Sequence, residues 1–296
     1  MKDKVSIILP AYNEADSVGE IVRDLIREFP DHEILVVDDC SSDDTESKAR
    51  EAGAKVVRHL YNMGNGAAVK TGARHATGDV FVFMDADGQH DPKDVQSLLD
   101  KLDDGYELIV GARDGASQAS FLRRVGNKIY NNIASAMTGY PIKDLTSGFR
   151  AVRARHFLHF LYLLPNGFSY PTTTTMAFLR SGLPIAFVPI KAAKRTGTSH
   201  IRIFRDGARF FLIILKIGAL FSPMRFFLPL SSALFFLGLT YYGYTYHMQG
   251  RFTNMSALLF MSSLLTFLIG MLSEQISSLH YKQAENERRT VRDRHR

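Results

Sequence analysis

Apolar and polar positions alternate in blocks along the first part of the chain. VSIILP (Val5 to Pro10) is a short apolar run of the kind that forms a buried strand. Val18, Ile21, Val22, Leu25, Ile26 and Phe29 follow at spacings of three and four, predicting a helix with one apolar face. EILVVDD (Glu33 to Asp39) predicts the next strand. SSDDTESKAREAG opens with capping residues and closes at Gly53, predicting a helix. AKVVRH predicts a third strand, and a glycine-rich turn then enters a helix through Ala76. VFVFMDAD predicts a fourth strand, DPKDVQSLLDKL a helix with Pro92 in its first turn, and ELIVGAR (Glu107 to Arg113) a fifth strand. Strands alternating with helices imply an α/β domain with a mainly parallel, doubly wound sheet. Ligands of such sheets lie beyond the carboxyl ends of the strands. The polar residues gather at those ends: Tyr12, Asn13 and Glu14; Asp38 and Asp39; Asp85 and Asp87; Arg113.

The pattern changes beyond about Thr198. FFLPLSSALFFLGLTYYGYTYHM (226–248) and MSALLFMSSLLTFLIGMLS (255–273) contain no Asp, Glu, Lys or Arg. Each is close to the roughly 20 residues that cross a bilayer as a helix. Tyr241, Tyr242, Tyr244 and Tyr246 cluster at one end of the first, as an interfacial aromatic belt does. Arg225 precedes the pair, while Lys282, Arg288, Arg289, Arg292, Arg294 and Arg296 follow it. The positive-inside rule therefore puts both ends of a helical hairpin in the cytoplasm. Between the soluble part and the hairpin, 201–221 has a shorter apolar run marked by Arg205, Arg209 and Lys216. It predicts a helix lying on the membrane interface. The expected organisation is a catalytic domain over 1–198, an interfacial region over 199–224, a transmembrane hairpin over 225–281 with spans near 226–248 and 255–275, and a charged tail over 282–296. The tail either touches anionic lipid or is simply solvated, since Glu285, Glu287 and Asp293 are interspersed among its cations.

Composition narrows the chemistry. The formal net charge of +6 suits anionic substrates or an anionic membrane surface, and nucleic acid is not among the expected partners. A single cysteine, Cys40, excludes an internal disulfide and fits a reducing compartment. MKDKVSIILP runs straight into a strand rather than a signal-peptide core, so the first part of the chain is expected in the cytoplasm.

VFVFMDADGQH (80–90) carries the main chemical signal. Strand side chains alternate with period two, so Asp85 and Asp87 would share one face, with Gln89 in step along an extended path. Like charges so placed repel unless a cation sits between them. A hard divalent ion is one reading, since Mg²⁺ takes carboxylate oxygens and shares them with substrate phosphates. A solvated strand-to-turn junction is the other. NMGNGAAVKTG (62–72) likewise reads as a phosphate cradle or as a plain tight turn; it matches neither GxGxxG nor the Walker pattern.

PAYNE (10–14), VVDDCSSDDT (36–45), NMGNGAA, DADGQHDP (85–92) and GAR together resemble family 2 glycosyltransferases with the GT-A fold. DLTSGFRA (144–151), KRTGTS (194–199) and the hairpin are similar to the polyisoprenyl-phosphate branch, which includes dolichol-phosphate mannose synthase and bacterial undecaprenyl-phosphate glucosyltransferases. The resemblance spans Val5 to about Ser273. It implies transfer of one sugar from a UDP- or GDP-sugar to a polyprenyl phosphate, with inversion, by an integral protein of the inner or plasma membrane. Pro10, Tyr12, Glu14 and an acid of the pair Asp38–Asp39 would hold base and ribose. Asp85, Asp87 and Gln89 would hold Mg²⁺ or Mn²⁺ with the diphosphate. Arg113, Arg123 or Arg124, Arg195 and Ser199 would meet phosphate or lipid phosphate, with Asn127 assisting. Each arginine has the alternative of an ordinary ion pair, and Arg150 that of bracing its loop. YPTTTT (170–175) is expected to cap a helix near the acceptor mouth. Cys40 stands where glycine is usual and looks harmless; Asn65 and His200 replace common lysines. A processive polysaccharide synthase is a rival reading, weakened by the absence of tryptophan and the single hairpin. A tethered transferase acting on a saccharide is another. A hairpin this small also gives self-association into a homo-oligomer a purpose.

Overall fold

The computed structural model describes residues 3–113, 121–167, 169–191 and 223–294. Arg195, Ser199, His200 and the whole 201–221 segment lie outside the described residues. The chain divides into two compact units, 1–201 and 202–296.

The first unit is built on a seven-stranded sheet in the order β3-β2-β1-β4-β6-β5-β7. The strands are β1 (Val5–Ala11), β2 (Glu33–Asp38), β3 (Lys55–Arg58), β4 (Val80–Phe83), β5 (Leu108–Arg113), β6 (Arg150–Arg153) and β7 (Ile185–Ile190). The predicted strands are β1 to β5, and their β1–β2, β2–β3 and β1–β4 pairings are parallel. β6 runs antiparallel between β4 and β5, pairing Phe83 and Val110 with Arg150. It escapes the hydrophobic pattern because it is four residues long and begins with a buried arginine. β7 pairs parallel with β5 and tolerates Pro189 because it is the edge strand.

Helices in this unit are α1 (Val18–Glu28), α2 (Thr45–Glu51), α3 (Asn65–His75), α4 (Asp94–Asp103), α5 (Phe121–Thr138), α6 (Ala154–Phe160) and α7 (Tyr170–Arg180). The predicted apolar face of α1 is the face it buries: Val18, Val22 and Leu25 are fully covered. Pro92 lies just before α4 rather than in its first turn, where its carbonyl accepts the Val95 N–H at 3.1 Å. YPTTTT does not cap a helix; it forms the first turns of α7, and Thr172 to Thr175 are buried. The hydroxyls of Thr173, Thr174 and Thr175 donate back four residues to the carbonyls of Ser169, Tyr170 and Pro171, at 3.2, 2.8 and 3.0 Å. Those internal bonds let a polar run enter the core as a helix.

The second unit is a hairpin of α8 (Pro223–Gln249) and α9 (Asn254–Arg294). Two stretches are long and apolar enough to cross a membrane: Pro223–Gln249 and Asn254–Leu279, with mean hydropathies of 1.4 and 2.0. The predicted spans lie inside them. Small residues bring the helices together: Ser263 Oγ donates to the Ser231 carbonyl at 2.9 Å, and a Cβ on Gly270 would lie 2.6 Å from Phe227 Cβ. The Met224 N–H, one of the free donors of the α8 N-terminus, donates to Glu274 at 3.3 Å. α9 carries its helix through the charged segment to Arg294.

Glycines set the close approaches around α3. A Cβ on Gly66 would fall 2.2 Å from the Pro165 carbonyl oxygen. Gly66→Ala is therefore expected to destabilise the first unit by about 2 kcal/mol and to lower the melting temperature of the purified protein. Gly126→Ala, whose new Cβ has no described residue within 4 Å, serves as the control. Equal melting of both variants with the parent would show that the 165–167 segment does not press on α3.

Candidate functional site

The site residues sit where strands end. Pro10 and Ala11 close β1 and are buried, whereas Tyr12 is 49 % exposed. Asn13 takes a left-handed φ of +55°, which asparagine tolerates better than most side chains. Its Oδ1 accepts the Ser42 N–H at 2.8 Å, and its own N–H donates to Ser41 Oγ at 2.9 Å. The Glu14 N–H donates to Thr45 Oγ1 at 2.9 Å. PAYNE and CSSDDT thus clamp each other into one rigid ledge.

Asp38, the last residue of β2, and Asp39 after it are both buried. Asp38 is fully buried; Oδ1 accepts the Ser41 N–H at 3.0 Å, and Oδ2 lies 3.4 Å from Arg58 Nε. Asp39 Oδ1 accepts the Met63 N–H at 2.8 Å and lies 2.7 Å from His59 Nδ1, while Oδ2 accepts the Gly64 N–H at 2.8 Å. His59 Nε2 is 2.8 Å from Thr71 Oγ1. The Ala67 N–H donates to the Gly64 carbonyl at 2.9 Å and to the Asn166 carbonyl at 3.1 Å. The Met63, Gly64 and Ala67 amides around this turn are thus taken up by Asp39 and by the chain itself, as in a tight turn. Cys40 follows with φ +63°, a conformation costing a non-glycine residue about 1 kcal/mol. The substitution is not harmless locally: glycine would hold that geometry freely.

β4 stops at Phe83, before the acids. The chain then turns, and Gly88 adopts φ +74°. Asp85 and Asp87 therefore lie beyond the strand, in the segment that follows it, rather than on the strand itself. Ser17 Oγ holds this turn by donating to the Ala86 carbonyl at 2.6 Å, and the Gln89 N–H donates to Asp87 Oδ1 at 3.2 Å. Beneath it lies the DLTSGFRA segment. A Cβ on Gly148 would fall 2.8 Å from Asp85 Oδ2, so only glycine leaves room for that carboxylate. Phe149 stacks on His90 with ring centroids 4.8 Å apart, and Gly111 admits Phe149 because any Cβ there would come within 2.7 Å of the ring.

Arg113, the last residue of β5, lies close enough for its charge to interact with Asp85 and Asp87. Its Nε donates to Asp144 Oδ2 at 2.8 Å, and one terminal nitrogen donates to Asp144 Oδ1 at 3.1 Å and to Thr146 Oγ1 at 2.8 Å. Such a forked pair is strong and geometrically specific. Burial opposes charge on the guanidinium, yet the Asp144 bond and the fields of Asp144, Asp85 and Asp87 raise its pKa. Burial likewise opposes charge on Asp144, but the Arg113 bond and field bring its pKa below the ordinary carboxylate value. Arg123, Arg124 and Asn127 fall on α5, which is braced against the same segment by Asn131 Nδ2 donating to the Lys143 carbonyl at 2.7 Å. Arg150 is fully buried and braces its loop, and burial pulls its guanidinium down to about 10.

Among the described residues, no group of three or more His, Cys, Asp or Glu side chains forms a metal cage. Two carboxylates and an amide in a turn do fit a divalent ion that completes its shell with substrate phosphate and water. The cradle at Gly148 keeps one of those carboxylates close against the backbone. DLTSGFRA is visible as a motif in the sequence, but the individual parts of the Asp144 carboxylate, the bare backbone of Gly148 and the Phe149 ring are not.

His90 supplies a pH test. Burial lowers its pKa to about 4, with the field of Asp87 opposing the shift, and among the described residues its Nδ1 has no hydrogen-bond partner. The unfolded chain therefore binds a proton near the ordinary value of about 6.5 while the folded chain does not. The stability linked to His90 is complete above pH ~6.5 and is lost as pH falls towards about 4. Between pH 7 and 5 the loss is about 2 kcal/mol. Denaturant titrations at the two pH values should show His90→Gln relieved of that share; an unchanged pH slope would contradict it.

The comparisons with known proteins bear on the same elements. The family described as Glycosyl transferase family 2 matches residues 6–160, and the GtrB C-terminal hairpin matches residues 222–279. Glycosyltransferase AglJ of Haloferax volcanii is 31% identical over 298 residues, covering 95% of this chain and 96% of its own. An undecaprenyl-phosphate 4-deoxy-4-formamido-L-arabinose transferase of Klebsiella pneumoniae is 36% identical over 168 residues, covering 52% of this chain and 50% of that protein. Glucosyl-3-phosphoglycerate synthase from Mycobacterium tuberculosis, solved with Mn²⁺, UDP and glucosyl-3-phosphoglycerate, superposes with a TM-score of 0.59 at 24% identity. That match covers 74% of this chain and 80% of that one, and it speaks for the GT-A fold. The chain belongs to glycosyltransferase family 2.

Proposed function

We propose that this glycosyltransferase moves a single sugar from a nucleotide-sugar to a polyprenyl phosphate, releasing a nucleoside diphosphate. The observation that carries the reading is the Asp85–Asp87 turn, seated on Gly148 and faced by Arg113, in a chain that also holds two apolar hairpin helices. The match to a GtrB-type hairpin supports a lipid acceptor, as do relatives such as AglJ and a transferase named for undecaprenyl phosphate.

In this reading Pro10, Tyr12 and Glu14 line the base and ribose end, with Asp38 and Asp39 shaping its floor. Asp85, Asp87 and Gln89 hold Mg²⁺ or Mn²⁺, which when bound supplies positive charge against the departing diphosphate. Arg113 holds a fixed cation at the same place, and its fork to Asp144 keeps it from swinging into solvent. Arg195, with Arg123 or Arg124, Asn127 and Ser199, meets the acceptor phosphate. That phosphate has a second pKa near 6 and is already largely dianionic at neutral pH. It needs positioning more than deprotonation, so no residue is assigned as general base. Direct attack on the anomeric carbon inverts it. The catalytic unit lies on the cytoplasmic side, where UDP- or GDP-sugars are made, and the acceptor is undecaprenyl or dolichyl phosphate.

Asp87→Ala is expected to reduce transfer by roughly 10³-fold while membrane insertion stays intact. Incubation with a panel of nucleotide-sugars and polyprenyl phosphate, read as sugar in extractable lipid and as released nucleoside diphosphate, checks this. Full activity of the variant would remove the cation assignment. A demand for a saccharide acceptor, with polyprenyl phosphate inert, would remove the lipid assignment.

A further inference from the structure

Arg150 is the least expected side chain in the first unit. It opens β6 opposite Phe83, the residue at which β4 ends and the chain departs towards Asp85. Its side chain is fully buried, and its described hydrogen-bond partners are neutral. One terminal nitrogen donates to the Pro171 carbonyl at 2.9 Å and lies 3.5 Å from Thr175 Oγ1; the other donates to the Ser147 carbonyl. Among the described residues Nε has no hydrogen-bond partner, and the guanidinium lies 5.9 Å from the Tyr170 ring centroid. A buried cation met only by neutral groups is expensive, and a hydrophobic residue of similar size is often the more stable choice. Something other than stability accounts for it.

Its contacts lead to the acidic turn. Ser147 directly precedes Gly148, whose backbone abuts the Asp85 carboxylate. The Tyr170 hydroxyl donates to the Gly148 carbonyl at 3.4 Å, so this short segment is gripped at two successive carbonyls. Pro171, the second anchor of Arg150, lies in the first turn of α7, which is braced through Thr172 against Tyr130 of α5. The guanidinium charge is also close enough to interact with Asp85 and Asp144.

We infer that Arg150 is a positioning residue: by tying Ser147 to α7 it sets Gly148 against Asp85 and fixes that carboxylate for a divalent cation–diphosphate complex. The inference rests on the proposed role of Asp85 and Asp87, and its test separates the two. Purified full-length protein is titrated with Mn²⁺ in the presence of UDP or, separately, GDP, and free Mn²⁺ is read from its electron paramagnetic resonance signal well below the melting temperature. Arg150→Gln is expected to weaken Mn²⁺ binding about tenfold. Arg150→Lys keeps the charge but reaches only one of the two carbonyls, and is expected to weaken it about threefold. Gly148→Ala, which displaces Asp85 directly, is expected to match or exceed the glutamine variant. Should Arg150→Gln not fold, Arg150→Lys and Gly148→Ala decide. An Arg150 variant that melts with the parent and binds Mn²⁺ within twofold of it overturns the inference. Unchanged binding in Asp87→Ala would instead overturn the reading on which it rests.

Discussion

Asp85 and Asp87 stand two residues apart just beyond the end of β4, the central strand of the sheet, where like charges repel unless positive charge offsets them, and the first unit is arranged around that constraint. Fixed positive charge has to stand near them, and the backbone that carries them has to be held in place. Arg113 answers the first need from the end of β5, itself held by the fork from Asp144. Gly148 answers the second by leaving space no other residue would leave beside Asp85. Asp144, which holds Arg113, and Gly148 both belong to DLTSGFRA, one segment of the chain.

The antiparallel strand β6 follows from the same need. A purely parallel sheet would place β5 beside β4, with nothing to carry a support under the acidic turn. Inserting β6 between them brings Ser147, Gly148 and Phe149 up beneath it from the opposite direction. The remaining rim is stiff for related reasons. PAYNE and CSSDDT exchange hydrogen bonds, and the glycine turn before α3 closes on Asp39. A rigid rim suits chemistry that stabilises a departing anion, because donors already in place need no reorganisation as charge develops.

Much of this was legible in the sequence, and the rest was hidden for identifiable reasons. Apolar runs revealed β1 to β5, the spacing of Val18 to Phe29 revealed the buried face of α1, and the uncharged stretches revealed the hairpin helices. Period-two reasoning carried the strand on through Asp85 and Asp87, whereas β4 ends at Phe83. β6 was masked by Arg150, a charged residue at a core position. The threonines of α7 looked like a cap because hydrophobic pattern cannot show that a hydroxyl will bond to the carbonyl four residues back. Cys40 looked harmless because a positive φ leaves no mark on a sequence except the glycine it would favour.

The central claim is that the turn at 85–89 grips a divalent ion that in turn holds a diphosphate. Crystals grown with Mn²⁺ and a nucleoside diphosphate would locate the ion directly from its anomalous scattering. The account predicts an Asp85 or Asp87 oxygen at about 2.2 Å from the ion, with phosphate oxygens completing the shell. An ion bound to the diphosphate with neither carboxylate in its shell would contradict it.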